Sequence, residues 1–273
     1  MKILQIVNKL CIGGMQRFVL DLSQELGINH DVTLITLYDE SYDQINISNP
    51  NFSRIALNKN RGLDISLFFK IRKIIKKEKP EIVHTHMMSL LYVVPSIFIH
   101  PHDNIIYVHT IHNVADKEIN QIDFIKRRLY GKHVCAVSIS DRVYKSVKDY
   151  YHNIDTPLID NGASAPIVTD VGNKEVEDVL SKSNLNSDYP LMITLGHISD
   201  SKNQVLLNQA VKILYNRGYK FNVIIIGRDG EIEYAKKLKQ ELSPNVICIG
   251  ESSNPGAWLN KADFFVMPSK SEG

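Results

Sequence analysis

The sequence predicts an α/β protein made of two domains with parallel sheets. Three observations carry this: short β-branched runs alternate with longer segments of helical period, the alternation breaks once near residue 163, and it then resumes. In the first series, "ILQIVN" runs into a glycine turn, after which Met15, Phe18, Val19, Leu22 and Leu26 fall on one helical stripe. "DVTLITL" and "RIAL" are further strands, followed by a helix from near Asp64 that is apolar at Ile65, Phe68, Ile71 and Ile75 and is ended by Pro80. "EIVHTH", "NIIYVHT" and "HVCAVS" continue the series, each with a helix behind it. This places a first doubly wound domain over residues 1–162.

Residues 163–189 are rich in Ser, Asn, Asp and Ala, hold one modest helix around Val176 to Leu180 and no strand, and read as a connection. Residues 190–273 repeat the α/β pattern with strands at "PLMITLG", "FNVIIIG", "NVICIG" and "DFFVMP".

Bulk properties exclude several classes. With 44% hydrophobic residues the chain can bury a large core. A formal net charge of +2 gives no reason to expect nucleic acid as a partner. Cys11, Cys135 and Cys248 are far apart without CxxC pairing, and they read as buried thiols of a reducing cytoplasm rather than a disulfide framework. The segment "SLLYVVPSIFIH" is interrupted by Pro95 and is too short to span a bilayer, so it reads as a core helix.

In open parallel sheets ligands sit outside the carboxyl ends of the strands, so the loops there are the candidate site. Gly13 and Gly14 stand between the first strand and first helix, where they either let a phosphate approach backbone N–H groups or simply make a tight turn. In "LGHISDSKNQVLL", Asp200 or Ser201 can cap a helix with Lys202 in its first turn; Lys202 then meets a diphosphate or is a solvated lysine. His84, His86, His109 and His112 crowd the strand ends of the first domain, and spacing of two puts His84 and His86 on one side. No acidic or cysteine ligand accompanies them, so structural or substrate-contacting roles are favoured over metal. No paired carboxylates, catalytic Ser/His/Asp order or GxSxG elbow is visible, which disfavours covalent hydrolysis. The basic helix over 64–79, with Lys70, Arg72, Lys73, Lys76, Lys77 and Lys79, fits either a solvated face or an anionic membrane surface.

Taken together, "GGMQR", "TIHN", "VSISDRV", the "NG" at 161 and 162, "GHISDSKN" and "ADFFVMPSKSEG" resemble the retaining glycosyltransferases of family 4, which have the GT-B fold of two facing Rossmann-like domains. The resemblance covers nearly the whole chain. It implies transfer of a sugar from a nucleotide-diphosphate-sugar to an acceptor hydroxyl with retention, without cofactor or metal. By resemblance, Lys202 grips the donor diphosphate together with Gly196 and His197, which stands where the family has arginine. Gly13 and Gly14 admit donor phosphate and acceptor, His112 contacts the donor sugar or its phosphate, and Glu272 orients the sugar hydroxyls.

A second family glutamate, separated from the first by seven intervening residues, would lie beyond Gly273, and the expectation is a second domain that is incomplete at its carboxyl end. Family context adds a saccharide or lipid-linked acceptor, cell-surface polysaccharide or glycolipid synthesis, and a cytoplasmic location with peripheral contact at the inner membrane face. Two alternatives stay open: an inactive fragment that only binds acceptor or membrane, and a GT-B nucleotide-sugar epimerase.

Overall fold

The computed structural model describes residues 1–38, 49–99, 104–117, 122–152 and 154–272. These form two compact units that divide between Ser164 and Ala165.

The first unit runs β1 (Lys2–Val7), α1 (Gly14–Leu26), β2 (Asp31–Thr36), β3 (Ser53–Ala56), α2 (Ser66–Glu78), β4 (Ile82–His86), α3 (Leu90–Ile99), β5 (Ile106–Ile111), α4 (Asp123–Leu129), β6 (Cys135–Ser138) and α5 (Asp141–Tyr150). The strands form one parallel sheet in the order β3-β2-β1-β4-β5-β6. Chain order therefore reverses between β1 and β4, and a ligand crevice opens at such a switch point beyond the strand carboxyl ends.

Helix boundaries follow local chemistry. Before α2, the Asp64 carboxylate accepts from the Ser66 N–H at 3.0 Å, the Ser66 hydroxyl at 2.6 Å and the Asn60 N–H at 2.9 Å. These bonds hold its pKa below the usual carboxylate value. At the other end Lys79 turns left-handed at φ 47° and donates to the Ile75 carbonyl, and Pro80 prevents continuation. The buried stripe of α2 is Leu67, Ile71 and Ile75. Ile65, expected on that stripe, precedes the first helical turn and is 63% exposed. The segment around Pro95 is the core helix α3, burying Leu90, Tyr92, Val93 and Ile97; His100 after it lies outside the described residues. Among the described residues no helix is long and apolar enough to cross a membrane.

The second unit contains α6 (Asp170–Lys182), β7 (Leu191–Leu195), α7 (Gln204–Asn216), β8 (Asn222–Ile226), α8 (Ile232–Gln240), β9 (Val246–Gly250), α9 (Pro255–Lys261) and β10 (Phe264–Phe265). Its parallel sheet has the order β10-β7-β8-β9, so its switch point lies between β7 and β10.

Residues 163–189 carry more structure than a connection. Helix α6 belongs to the second unit, where Val176 is buried in one cluster with Ala257 and Trp258 of α9. The Glu175 carboxylate accepts from the Ser252 hydroxyl at 2.6 Å, the Asn254 amide at 2.6 Å and the Trp258 indole N–H at 3.0 Å. The partners of this helix lie about eighty residues downstream, which is why its short apolar stripe looks weak in isolation. Cys135, expected to be buried, begins the edge strand β6 and is exposed.

Candidate functional site

In the second unit the chemistry gathers at the switch point. The loop after β7 starts at Gly196, φ 146°, and packs against the loop after β8. The Gly196 N–H donates to the Ile226 carbonyl at 2.9 Å, and a bridge joins Ile198 to Asp229. Gly227, φ 159°, approaches so closely that a Cβ there would sit 1.9 Å from the Gly196 oxygen. Only glycine permits this contact.

Residues Ser199 to Asn203 wind into a turn, with the Lys202 and Asn203 N–H groups both donating to the Ser199 carbonyl. Asn203, left-handed at φ 59°, is the residue before α7, so neither Asp200 nor Ser201 caps the helix and Lys202 stands just ahead of its first turn. Gln204 locks the loop: its amide donates to the His197 carbonyl at 2.9 Å and its Oε1 accepts from the Ser199 N–H at 3.3 Å.

The loop after β10 lies on this turn. The Lys270 N–H donates to the Ser201 carbonyl at 2.9 Å, and Lys270 Nζ is 2.5 Å from an Asp200 oxygen. The result is that Lys202 Nζ lies 2.6 and 2.7 Å from the two Glu272 carboxylate oxygens. Two residues seventy positions apart, both singled out from the sequence, meet in a half-buried ion pair. Such a site offers a cation to an anionic group and a carboxylate to hydroxyls.

In the first unit Gly13 and Gly14 open α1. Gly13 has extended backbone, and Cβ atoms at these positions would meet only the flexible Gln16 side chain or open space. The first N–H groups of α1 are thus approachable.

The histidines divide by strand alternation. His84 and His86 share one face, with ring centroids 4.3 Å apart, and His112 just beyond β5 joins them: His86 Nδ1 is 3.0 Å from His112 Nε2. His84 Nε2 lies 2.7 Å from the Thr110 hydroxyl. His109 sits on the opposite face, where it pairs with the Thr85 hydroxyl at 2.8 Å and stacks on Tyr130. Burial drives these groups toward neutrality, taking His84 to about 3 and His112 to about 4, with His86 and His109 held well below the ordinary value. Among the described residues no group of three or more His, Cys, Asp or Glu is arranged to hold a metal ion.

Glyco_transf_4, the glycosyltransferase family 4 model, matches residues 12–163, more than half of the chain, and the glycosyl transferases group 1 model matches residues 175–273. The chain belongs to glycosyltransferase family 4. It is 25% identical over 226 residues to CapH, a capsular polysaccharide biosynthesis glycosyltransferase of Staphylococcus aureus, covering 77% of this chain and 60% of CapH. It is 24% identical over 234 residues to the glycosyltransferase MJ1059 of Methanocaldococcus jannaschii, covering 75% of this chain and 54% of MJ1059. The chain thus spans little more than half the length of these curated relatives.

In structure it is similar to a glycosyltransferase from Rickettsia africae, with a TM-score of 0.73 at 19% identity over 98% of this chain and 73% of that one. It is also similar to HepE of Anabaena, solved in complex with UDP-glucose, with a TM-score of 0.70 at 15% identity over 99% and 74%. The two α/β units of this family 4 chain therefore have the GT-B architecture.

Three structural supports escaped the sequence reading. Gln204 and Gly227 shape the loop that carries Lys202, and Gln5 anchors His86. Gly227 had a visible signal, a glycine directly after the all-β-branched run "VIII", and so did Gln5, an amide alone in an apolar strand.

Proposed function

We propose that this chain carries the donor-site residues of a retaining glycosyltransferase that moves a sugar from a nucleotide-diphosphate-sugar to an acceptor hydroxyl. The observation that supports it is the Lys202–Glu272 pair at the switch point of the second sheet, with both carboxylate oxygens within 2.7 Å of the ammonium. The bond from the anomeric carbon to the diphosphate breaks, the acceptor oxygen bonds that carbon, and the hydroxyl proton leaves with the diphosphate. Lys202, helped by His197 and the Gly196 backbone, stabilises charge growing on the leaving group. Glu272 then turns from its lysine toward sugar hydroxyls, because the diphosphate takes over as the counter-ion of Lys202. Gly13 and Gly14 admit donor phosphate and acceptor at the start of α1, and His112 contacts the donor. With a fixed ammonium at the leaving group the reaction needs no metal, so EDTA leaves turnover unchanged.

UDP-sugars are the first donors to test, given the ligand seen with HepE. The similarity to CapH, a capsular polysaccharide biosynthesis glycosyltransferase, supports a saccharide acceptor in cell-surface polysaccharide synthesis; a lipid-linked acceptor and a cytoplasmic place of work belong to the same proposal. Product analysis by NMR tests the reaction: a glycoside with the donor's anomeric configuration supports the proposal. An inverted product, or an epimerised nucleotide-sugar, refutes it.

A peripheral membrane contact belongs to the same reading. Leu63, Ile65 and Phe69 are 63 to 67% exposed at the start of α2, and Lys73, Lys76 and Lys77 are exposed farther along it. Apolar insertion beside cations suits an anionic bilayer. Co-sedimentation with vesicles containing phosphatidylglycerol, lost in Phe69→Ser, is the expected result; equal binding to neutral vesicles contradicts it.

A further inference from the structure

In the proposed reaction the diphosphate takes Lys202 from Glu272, so the ion pair that joins the loop after β10 to the loop after β7 is lost just when Glu272 has to reach the sugar. Strand pairing gives the loop after β10 little support. β10 is two residues long and pairs with β7, and Phe264, Phe265 and Met267 are about half exposed. Next along the chain, the Val266 N–H donates to the Ile193 carbonyl at 2.9 Å.

Lys270 supplies a further tie two residues before Glu272. Its N–H donates to the Ser201 carbonyl at 2.9 Å, and its ammonium lies 2.5 Å from Asp200 Oδ1. Ser201 and Asp200 both belong to the turn that carries Lys202. Neither bond uses the Lys202 ammonium or the Glu272 carboxylate, so both survive when a diphosphate separates those two groups. The turn is a firm base for such a tie. Gln204 locks it to His197 and Ser199, and from α8 the Tyr234 hydroxyl accepts from the Val205 N–H at 2.9 Å, which fixes the start of α7. The ion pair is exposed, 51% at Lys270 and 60% at Asp200, so its effect on an equilibrium is a few-fold. On a lightly held loop that is enough to matter.

We propose that Asp200 and Lys270 are positioning residues: their ion pair straps the loop after β10 to the loop after β7 and keeps Glu272 within reach of the donor sugar once Lys202 has turned to the diphosphate. The strap itself does not depend on the reaction, whereas its consequence for turnover rests on the transferase reading. A chain without the strap still binds the diphosphate at Lys202 but orients the sugar less well, so kcat falls and nucleotide affinity does not.

Glu272→Ala imitates the displaced carboxylate without any ligand. Amide hydrogen exchange then reads the main-chain N–H at position 270, whose bond to Ser201 reports docking of the loop. In Glu272→Ala its protection is expected to fall by less than about twofold, because the strap still holds. Adding Lys270→Met or Asp200→Asn lowers it by about threefold more, the size set by an exposed ion pair, and the charge swap of Asp200→Lys with Lys270→Asp restores it. Equal protection with and without Lys270→Met, or a swap that restores nothing, overturns the proposal. If one of the two single changes prevents folding, the other decides. In assays with UDP-glucose, Lys270→Met lowers kcat by about threefold and leaves the affinity for UDP unchanged. A matching loss of UDP affinity would make Lys270 a direct diphosphate ligand and overturn the positioning role. If wild type binds neither nucleotide, the transferase reading fails, and the exchange measurement still decides the strap.

Discussion

His197 shows how one substitution changes the chemistry of an otherwise family-like loop. A guanidinium stays charged at every physiological pH, whereas histidine loses its proton near neutrality. In the proposed donor complex a diphosphate beside His197 favours the protonated ring, so donor affinity is expected to fall as pH rises from about 6 to 8.5. Titration calorimetry across that range is expected to show a loss of about tenfold in His197 protein and a flat profile in His197→Arg. A flat profile in both removes His197 from the site. The position of His197 is held indirectly, because Gln204 ties down its backbone carbonyl and a Cβ added at Gly230 would come within 3.1 Å of the His197 Cβ. The position of Lys202 ahead of α7 was legible from its glycine-led loop, but its pairing with Glu272 was not, since no local pattern relates residues separated by seventy positions.

Most elements were legible because their signals are local. Each β-branched run became a strand, and the turn residues around Asp64 and Pro80 marked the ends of α2. What escaped was tertiary in origin. Helix α6 shows a short apolar stripe in a polar stretch, and its place is set by Trp258 and by the three bonds to Glu175. Burial opposes ionisation of Glu175, but the three donors outweigh it and hold its pKa below the usual carboxylate value. A depressed carboxylate pKa means stability present above about pH 4.5 and lost as pH falls through the folded value. Glu175→Ala is expected to destabilise the second unit by roughly 2 kcal/mol, because Trp258 and Asn254 lose their acceptor. Thermal melts read this; an unchanged melting temperature would show that α6 is held by apolar packing alone.

For the molecule as a whole, both sheets place their chemistry at topological switch points: the glycine loop and the His86–His112 pair beside β1 and β4, and Lys202 with Glu272 beside β7 and β10. The fold thus explains why scattered loops converge, and it also predicts how the protein responds to acid. His84, His86, His109 and His112 all have folded pKa values below the ordinary one, so the unfolded chain takes up protons first as pH falls. Stability of the first unit is full above about pH 6.5 and declines from there toward pH 4, ahead of the Glu175 effect in the second unit. Circular-dichroism melts from pH 7.5 to 4.5 should show that decline, and a melting temperature constant over this range would contradict neutral burial of the histidines.

The most direct test of the account is calorimetric titration of the chain and of Lys202→Ala with UDP, GDP and UDP-sugars. The account predicts that at least one of these nucleotides binds, and that the variant binds it at least tenfold more weakly, as expected for loss of a charge-assisted contact. Equal affinity in chain and variant, or no binding of any nucleotide, would contradict the placement of the donor diphosphate at Lys202.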